Sequence, residues 1–281
     1  MDVIAKAVFG LNLNRHLKGL SKIGLIGRSS PVVFIAGFQK SGTTSLYKKL
    51  ISSGYYKQPY MKEDNRLALN PANILEFQYG FPYSIKNSKS ICASHLFTFI
   101  PGAIDSIKNF YPGAKVLLIV RNPIDRAISH FDMDKRFGWL PEALTAENWM
   151  KFELETILKG NVDFRSIESV HKTFNLFNWR FGSPLVRGIY YPYVNEFIKR
   201  EMPVHVVELS ELKLEHELNM NKIYDFLEMP IDKRLDSKEF NLENKAPEKS
   251  TISEELKLRL SEFYKEPNDL LFDLLDKRYT W

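Results

Sequence analysis

Cysteine occurs once, at Cys92, so no disulfide can close within the chain and a reducing compartment is expected. No run of about 18 apolar residues is present, and none of the chain reads as a membrane-spanning helix. The first residues lack a compact apolar stretch followed by a small-residue cleavage site, so no secretory leader is expected and the protein is placed in the cytoplasm. There is no repeat at solenoid or propeller periods and no low-complexity tract. No Cys/His cluster has ligand spacing, so no metal site is expected. Charge of one sign is scarce too once its position is considered. The net charge is +5, and Lys6, Arg15, Lys18, Lys22 and Arg28 against Asp2 supply most of it. The nearly neutral remainder argues against nucleic acid or a polyanionic glycan as the main partner.

What is present suffices for one α/β unit. The chain has 281 residues, 44% of them hydrophobic, enough for a sizeable core. Residues 1–30 read as a basic N-terminal arm, weakly amphipathic and helical, and residues 31–281 as the domain. Val32–Ala36 and Lys115–Val120 are short, β-branched apolar runs of the kind buried on both faces of a parallel sheet, and Val204–Glu208 is a third. Helices are expected through Leu46–Ile51, over Pro101–Phe110, after Asn122 with Pro123 at its first position, and over Glu147–Lys159. Further helices are expected over about Leu185–Arg200 and Ser210–Glu228. Another is expected after a capping box at Thr251 and Glu254, and a last one ends near Trp281. Lys57–Asn73 reads as polar and irregular. This alternation implies a P-loop-like three-layer α/β/α fold with a central parallel sheet, whose ligands bind beyond the carboxyl ends of the strands.

Two motifs fall at those strand ends. The run Gly37-Phe38-Gln39-Lys40-Ser41-Gly42-Thr43-Thr44 between strand and helix is nearly a phosphate-binding loop, with glycines for the turn and amides at the helix start to cradle an anion. It departs from GxxxxGK[ST] at one place: Thr43 stands where the lysine belongs, and Lys40 lies three residues earlier. A triphosphatase also needs an acid after a second strand to hold magnesium. Here the second strand ends in Arg121. Arg121-Asn122-Pro123-Ile124-Asp125-Arg126-Ala127-Ile128-Ser129 offers a guanidinium fork and, two turns along the helix, a hydroxyl, a pairing suited to a phosphate monoester. The blander readings are a surface lysine for Lys40, an Arg121–Asp125 ion pair, and an ordinary helix serine at Ser129.

These residues resemble the sulfotransferases that use 3'-phosphoadenosine 5'-phosphosulfate (PAPS), specifically the heparan-sulfate-type branch and its bacterial relatives. Gln39-Lys40-Ser41-Gly42-Thr43-Thr44-Ser45 is similar to that family's 5'-phosphosulfate loop and Arg121–Ser129 to its 3'-phosphate motif. Asn244–Tyr264, Asn268 and Trp281 are similar to its C-terminal segment. The resemblance runs over residues 31–281 and implies roles by position. Lys40 neutralises the leaving phosphate oxygen; Gln39, Ser41, Gly42, Thr43, Thr44 and Ser45 belong to the 5'-phosphate cradle; Arg121 and Ser129 hold the 3'-phosphate. The family's Lys-Gly-Arg cofactor loop is replaced by Asn244–Lys249, in which Lys245 or Lys249 can substitute.

Two residues compete as the base that takes the acceptor's proton. Glu63, in Lys62-Glu63, stands where the heparan-type family places a catalytic carboxylate, although Asp64-Asn65-Arg66 replaces the aromatic that follows there. His95 lies where related enzymes have cleft residues, and a histidine is a natural base near neutral pH. Position favours Glu63 narrowly. Each has a bland alternative, a solvated loop charge for Glu63 and a satisfied, partly buried histidine for His95. His130 is expected to support Ser129, and His16, His171, His205 and His216 to be structural. The resemblance therefore implies metal-free sulfuryl transfer from PAPS, with PAP as product, to a hydroxyl of a small molecule. A saxitoxin-type alkaloid, a polyketide or a lipid of secondary metabolism all suit. Aromatic residues at Tyr55, Tyr56, Tyr60, Phe77, Tyr79, Phe81, Tyr83, Trp139, Trp149 and Trp179 could line its pocket, most of them being core. A P-loop kinase and a non-catalytic nucleotide-binding module are the alternatives.

Overall fold

A computed structural model describes residues 26–85, 87–177, 183–235, 240 and 248–281. The basic arm up to residue 25, with His16, lies outside them, as do Trp179 and Lys245. The sheet strands are β2 (Ser30–Gly37), β4 (Lys89–Ala93), β5 (Lys115–Val120) and β6 (Val204–Glu208), all parallel in the order β4-β2-β5-β6. A separate antiparallel pair joins β1 (Ile26–Arg28) to β3 (Tyr83–Ile85).

Alternation along the strands explains the three layers. Phe34 and Ala36 of β2, with Val116, Leu118 and Val120 of β5, enter one core, while Val33 and Ile35, with Leu117 and Ile119, enter the other. Both faces are therefore apolar and both must be covered. Helix α1 (Thr43–Ser52) covers the second face together with α10 (Leu209–Leu214) and α11 (His216–Phe226). The first face carries α2 (Arg66–Leu69), α4 (Leu96–Phe99), α5 (Ala103–Phe110), α6 (Pro123–Arg136), α7 (Ala146–Lys159), α8 (Ile167–Phe174), α9 (Tyr191–Lys199) and α12 (Glu254–Leu275), with the short α3 (Ile74–Gln78) beside them.

Several boundaries differ from expectation for local reasons. Leu185–Arg200 is not one helix: Val186–Gly188 forms a 3-10 turn, and α9 starts only at Tyr191, with Pro192 in its first turn. The expected Ser210–Glu228 helix is broken at Glu215, whose φ of −116° and ψ of 51° are not helical. Ser253, not Thr251, caps α12, accepting from the Leu256 amide. The two helices expected near the end of the chain are the single 22-residue α12, which carries Pro267 within it and ends at Leu275. Lys57–Asn73 contains the short α2 and a 3-10 turn.

Candidate active site

β2 and β5 are neighbours, yet the chain leaves β2 towards β4 at one edge and leaves β5 towards β6 at the other. Their carboxyl ends therefore flank a crevice at the point where strand order reverses. A cleft of about 620 Å³ opens there, and it gathers Gln39, Lys40, Gly42, Thr43, Thr44, Ser45, Glu63, His95, Arg121, Ser129 and Lys249. Ser41 belongs to the same loop but is fully buried beneath it, its amide donating to the Phe38 carbonyl. Of the nine singled-out aromatics among the described residues only Trp139 lines the cleft; Tyr56, Phe77 and Phe81 are core.

The loop's shape follows from its residues. The Phe38 amide donates to the Ile119 carbonyl at 3.0 Å, tying the loop to the neighbouring strand. Gly42 caps α1 at φ 93°, a left-handed conformation open to glycine at no steric cost. Lys40 is also left-handed, at φ 67°, a strain that persists only where surroundings enforce it. Arg121 supplies part of that enforcement by donating from Nη1 to the Lys40 carbonyl at 3.0 Å. The Thr43 and Thr44 amides at the start of α1 lack intrahelical acceptors, and together with the helix dipole they favour an anion.

Arg121 is positioned from both sides. The Tyr190 hydroxyl donates to its carbonyl at 2.8 Å, and next to it the Asn122 side chain accepts from the amides of Ile124 and Asp125, opening α6. Asp125 does not take Arg121 as its ion-pair partner. It pairs instead with Lys249 at 2.7 Å, which brings that lysine to the cleft. Ser129, Asp132, Met133 and Arg136 line the cleft from one face of α6, at the i, i+3, i+4, i+7 spacing that marks a helix stripe. Asp132, Met133 and Arg136 were not foreseen, although that spacing from Ser129 was a signal in the sequence. Burial lowers the Lys40 ammonium pKa, helped by the positive charges of Arg136 and Arg121.

The two candidate bases face each other, His95 Nδ1 lying 3.7 Å from Glu63 Oε2. Lys62 donates to the other Glu63 oxygen at 2.8 Å. Burial alone raises the Glu63 pKa, but the charge and the hydrogen bond of Lys62 outweigh it, and the carboxyl ends below its ordinary 4.5. His95 is pushed down to about 3 by burial, with Arg187 adding to the effect. It is neutral at physiological pH. Glu63 is anchored through its neighbour, because buried Asp64 pairs with Arg66 and fixes the turn.

Behind the loop lies a polar layer that sequence reasoning did not find. Arg126, fully buried, donates to the Pro184 carbonyl and at 3.5 Å to the Gln39 carbonyl. His130 sits between Arg126 and Asp134, 3.5 Å from each, on the inner side of α6 rather than beside Ser129. Burial raises the Asp134 carboxyl to about 7 against the pull of Arg187, Lys40 and Arg126. Among the described residues no group of three or more His, Cys, Asp or Glu side chains is arranged to hold a metal ion. No helix among them is long and apolar enough to cross a membrane.

The family model described as "Sulfotransferase domain" matches residues 30–265. In structure the chain is similar to a sulfotransferase from Alicyclobacillus acidocaldarius, with a TM-score of 0.66, 17% identity, and coverage of 90% of this chain and 98% of that one. It is more distantly similar to a mouse sulfotransferase complexed with PAP, with a TM-score of 0.43, 21% identity, and coverage of 73% and 62%. The sulfotransferase domain of the curacin biosynthetic pathway gives a TM-score of 0.43, 11% identity, and coverage of 90% and 99%. No curated protein matches the sequence.

Proposed function

From the premise that the chain belongs to the sulfotransferase domain family, and is thus a transferase of sulfuryl groups, we propose that its donor is PAPS and its acceptor a hydroxyl of a small molecule. The observation that carries this reading is the continuity of two anion sites in one cleft. The loop at Gln39–Ser45 follows one strand, Arg121 and Ser129 follow its neighbour, and Arg121 is hydrogen-bonded to Lys40 between them. A nucleotide with a 5'-phosphosulfate and a 3'-phosphate has anions at two ends. The helix-start amides of Thr43 and Thr44, with Ser45 beside them in the cleft, suit the first, and Arg121, Ser129 and Lys249 the second.

The donor brings the activated sulfuryl group; the protein's part is to align, neutralise and accept a proton. As the acceptor oxygen bonds to sulfur, the bond from sulfur to the 5'-phosphate oxygen breaks and its electron pair stays on that oxygen. Lys40 faces that growing charge. The acceptor's proton passes to Glu63, which is ionised and open to the cleft, its side chain 44% exposed, with His95 beside it. The cleft encloses the reacting atoms between the loop and α6, which favours one in-line geometry.

Labelled PAPS offered with a panel of alcohols and phenols tests the reading, through label transferred to the acceptor. Lys40→Ala should cost about 10²–10³ in turnover while sparing much of the PAP affinity, because the charge it meets grows mainly in the transition state. Transfer should continue in EDTA, since Arg121 occupies the strand end where a magnesium-dependent phosphotransferase has its acid. Abolition by chelator with rescue by magnesium would favour the kinase instead. PAP binding without turnover on any acceptor would favour a binding module.

A further inference from the structure

Arg187 lies in the 3-10 turn Val186–Gly188, behind the phosphate loop, and is only 4% exposed. The turn is wedged in place: a Cβ at Gly188 would come within 2.8 Å of the Tyr264 hydroxyl and 3.0 Å of Pro123 Cβ. The guanidinium lies over two rings, 4.6 Å from the centroid of Phe99 and 5.0 Å from that of Phe174. Among the described residues no carboxylate comes within ion-pair distance of it, and its Nε has no partner. Burying an unpaired cation is costly, so a side chain kept this way needs a use for the charge and for its fixed donors. One side-chain acceptor is in reach: Nη1 donates to Gln39 Oε1 at 2.6 Å.

That contact settles which way the Gln39 carboxamide points. A guanidinium has donors and no acceptor, so the atom facing it is the carbonyl oxygen, and the amide nitrogen is turned away. Gln39 lines the cleft, and its amide nitrogen has no partner among the described residues. It therefore offers two N–H donors to whatever the cleft holds. Gln39 precedes Lys40 and stands at the opposite end of the loop from Thr43–Ser45. Arg187, which holds it, lies over the Phe99 ring, whose centroid is 6.4 Å from that of the His95 ring. Both facts put the amide on the side of Lys40 where the acceptor and the transferring group meet.

The geometry points to Arg187 as a positioning residue that locks the Gln39 carboxamide with its N–H groups towards the sulfuryl oxygens of the bound donor. This rests on the PAPS reading of the cleft and adds to it a donor that distinguishes PAPS from PAP. It also explains an unpaired cation in the core: a glutamine free to turn over would present its carbonyl to an anion half the time, and Arg187 removes that state. Lysine or a neutral residue could not do the same from this position, because the planar fork fixes the direction of the bond.

Calorimetry with PAPS and with PAP, each without acceptor, tests the assignment on the full chain. Gln39→Glu is the informative variant, since a carboxylate still accepts from Arg187 and the thermal midpoint should hold or rise. It lacks the N–H donors, and its PAPS affinity should fall about ten- to hundredfold, the usual worth of a hydrogen bond to a charged group. PAP, which has no sulfuryl group, should lose clearly less. Arg187→Met should show a smaller loss of the same selectivity, and the double variant should lose less than the two single losses combined. An unchanged PAPS affinity in Gln39→Glu would show Gln39 to be only a structural partner of Arg187. Equal losses for PAPS and PAP would place its amide away from the sulfuryl end. If Arg187→Met does not fold, Gln39→Glu decides alone. A wild-type chain that binds neither ligand would overturn the PAPS reading itself, an outcome distinct from the other two.

Discussion

Glu63 and His95 are in contact and both are unprotonated at neutral pH, for different reasons. Lys62, by its charge and its hydrogen bond, holds the carboxyl below its ordinary 4.5 despite burial, whereas burial and Arg187 hold the imidazole near 3. A base must be unprotonated to act, so its acid limb marks its own titration. The rate of transfer should stay level as pH falls from 8 to 5 and drop only below 4.5, where Glu63 takes up its proton. An imidazole base with an unshifted pKa would put the limb near 6.5 instead. Glu63→Gln should lower turnover by about 10²–10⁴ and leave PAP binding in place, and His95→Asn should lose much less. The two variants reversed in severity would transfer the base to His95, whose own limb near 3 also lies below 4.5.

Among the elements α6 brings the most to the cleft, and its start is where local chemistry and binding meet. Asn122 caps it, Pro123 opens it, Arg121 precedes it, and Ser129 follows two turns on. Asn122→Ala removes the acceptor of two amides and should cost about 1 kcal/mol in denaturant unfolding. PAP affinity should fall as well, because Arg121 and Ser129 are oriented by that first turn; unchanged affinity would mean the cap serves stability alone. This helix was legible in the sequence because each of its signals is local, as were β5 and β6, which are rich in valine and isoleucine. β4 was not, because its apolar residues are only Ile91, Cys92 and Ala93 after a polar Lys89 and Ser90, too short a run to stand out. Gln39 and Lys40 could be read from loop spacing, and Glu63 and His95 from position. Arg187 and Arg126 could not. Arg187 meets Gln39 across 148 positions of sequence, and neither arginine carries a local pattern to mark it as buried.

At the scale of the whole molecule the cleft is assembled from segments that only the parallel sheet brings together. Gln39–Ser45 follows β2, His95 follows β4, Arg121 follows β5, and Lys249 arrives from just before α12. A ligand that spans these segments binds the folded chain and not the unfolded one, so it should stabilise the entire domain. At a concentration one hundred times its dissociation constant PAP should add about 2.7 kcal/mol. For a chain of this size that corresponds to a rise in thermal midpoint of roughly 5–10 °C, at about 2–4 °C per kcal/mol. If Arg121 reads the 3'-phosphate as proposed, Arg121→Ala should weaken PAP about ten- to hundredfold, leaving only about 0.4–1.4 kcal/mol of stabilisation at the same concentration. Adenosine 5'-phosphosulfate has no 3'-phosphate, so its smaller stabilising effect should be the same in wild type and variant. Melting curves for the two proteins with the two ligands separate the outcomes. If Arg121→Ala loses both effects equally, the arginine supports the loop through Lys40 and does not read the 3'-phosphate. If it loses neither, the 3'-phosphate lies elsewhere in the cleft.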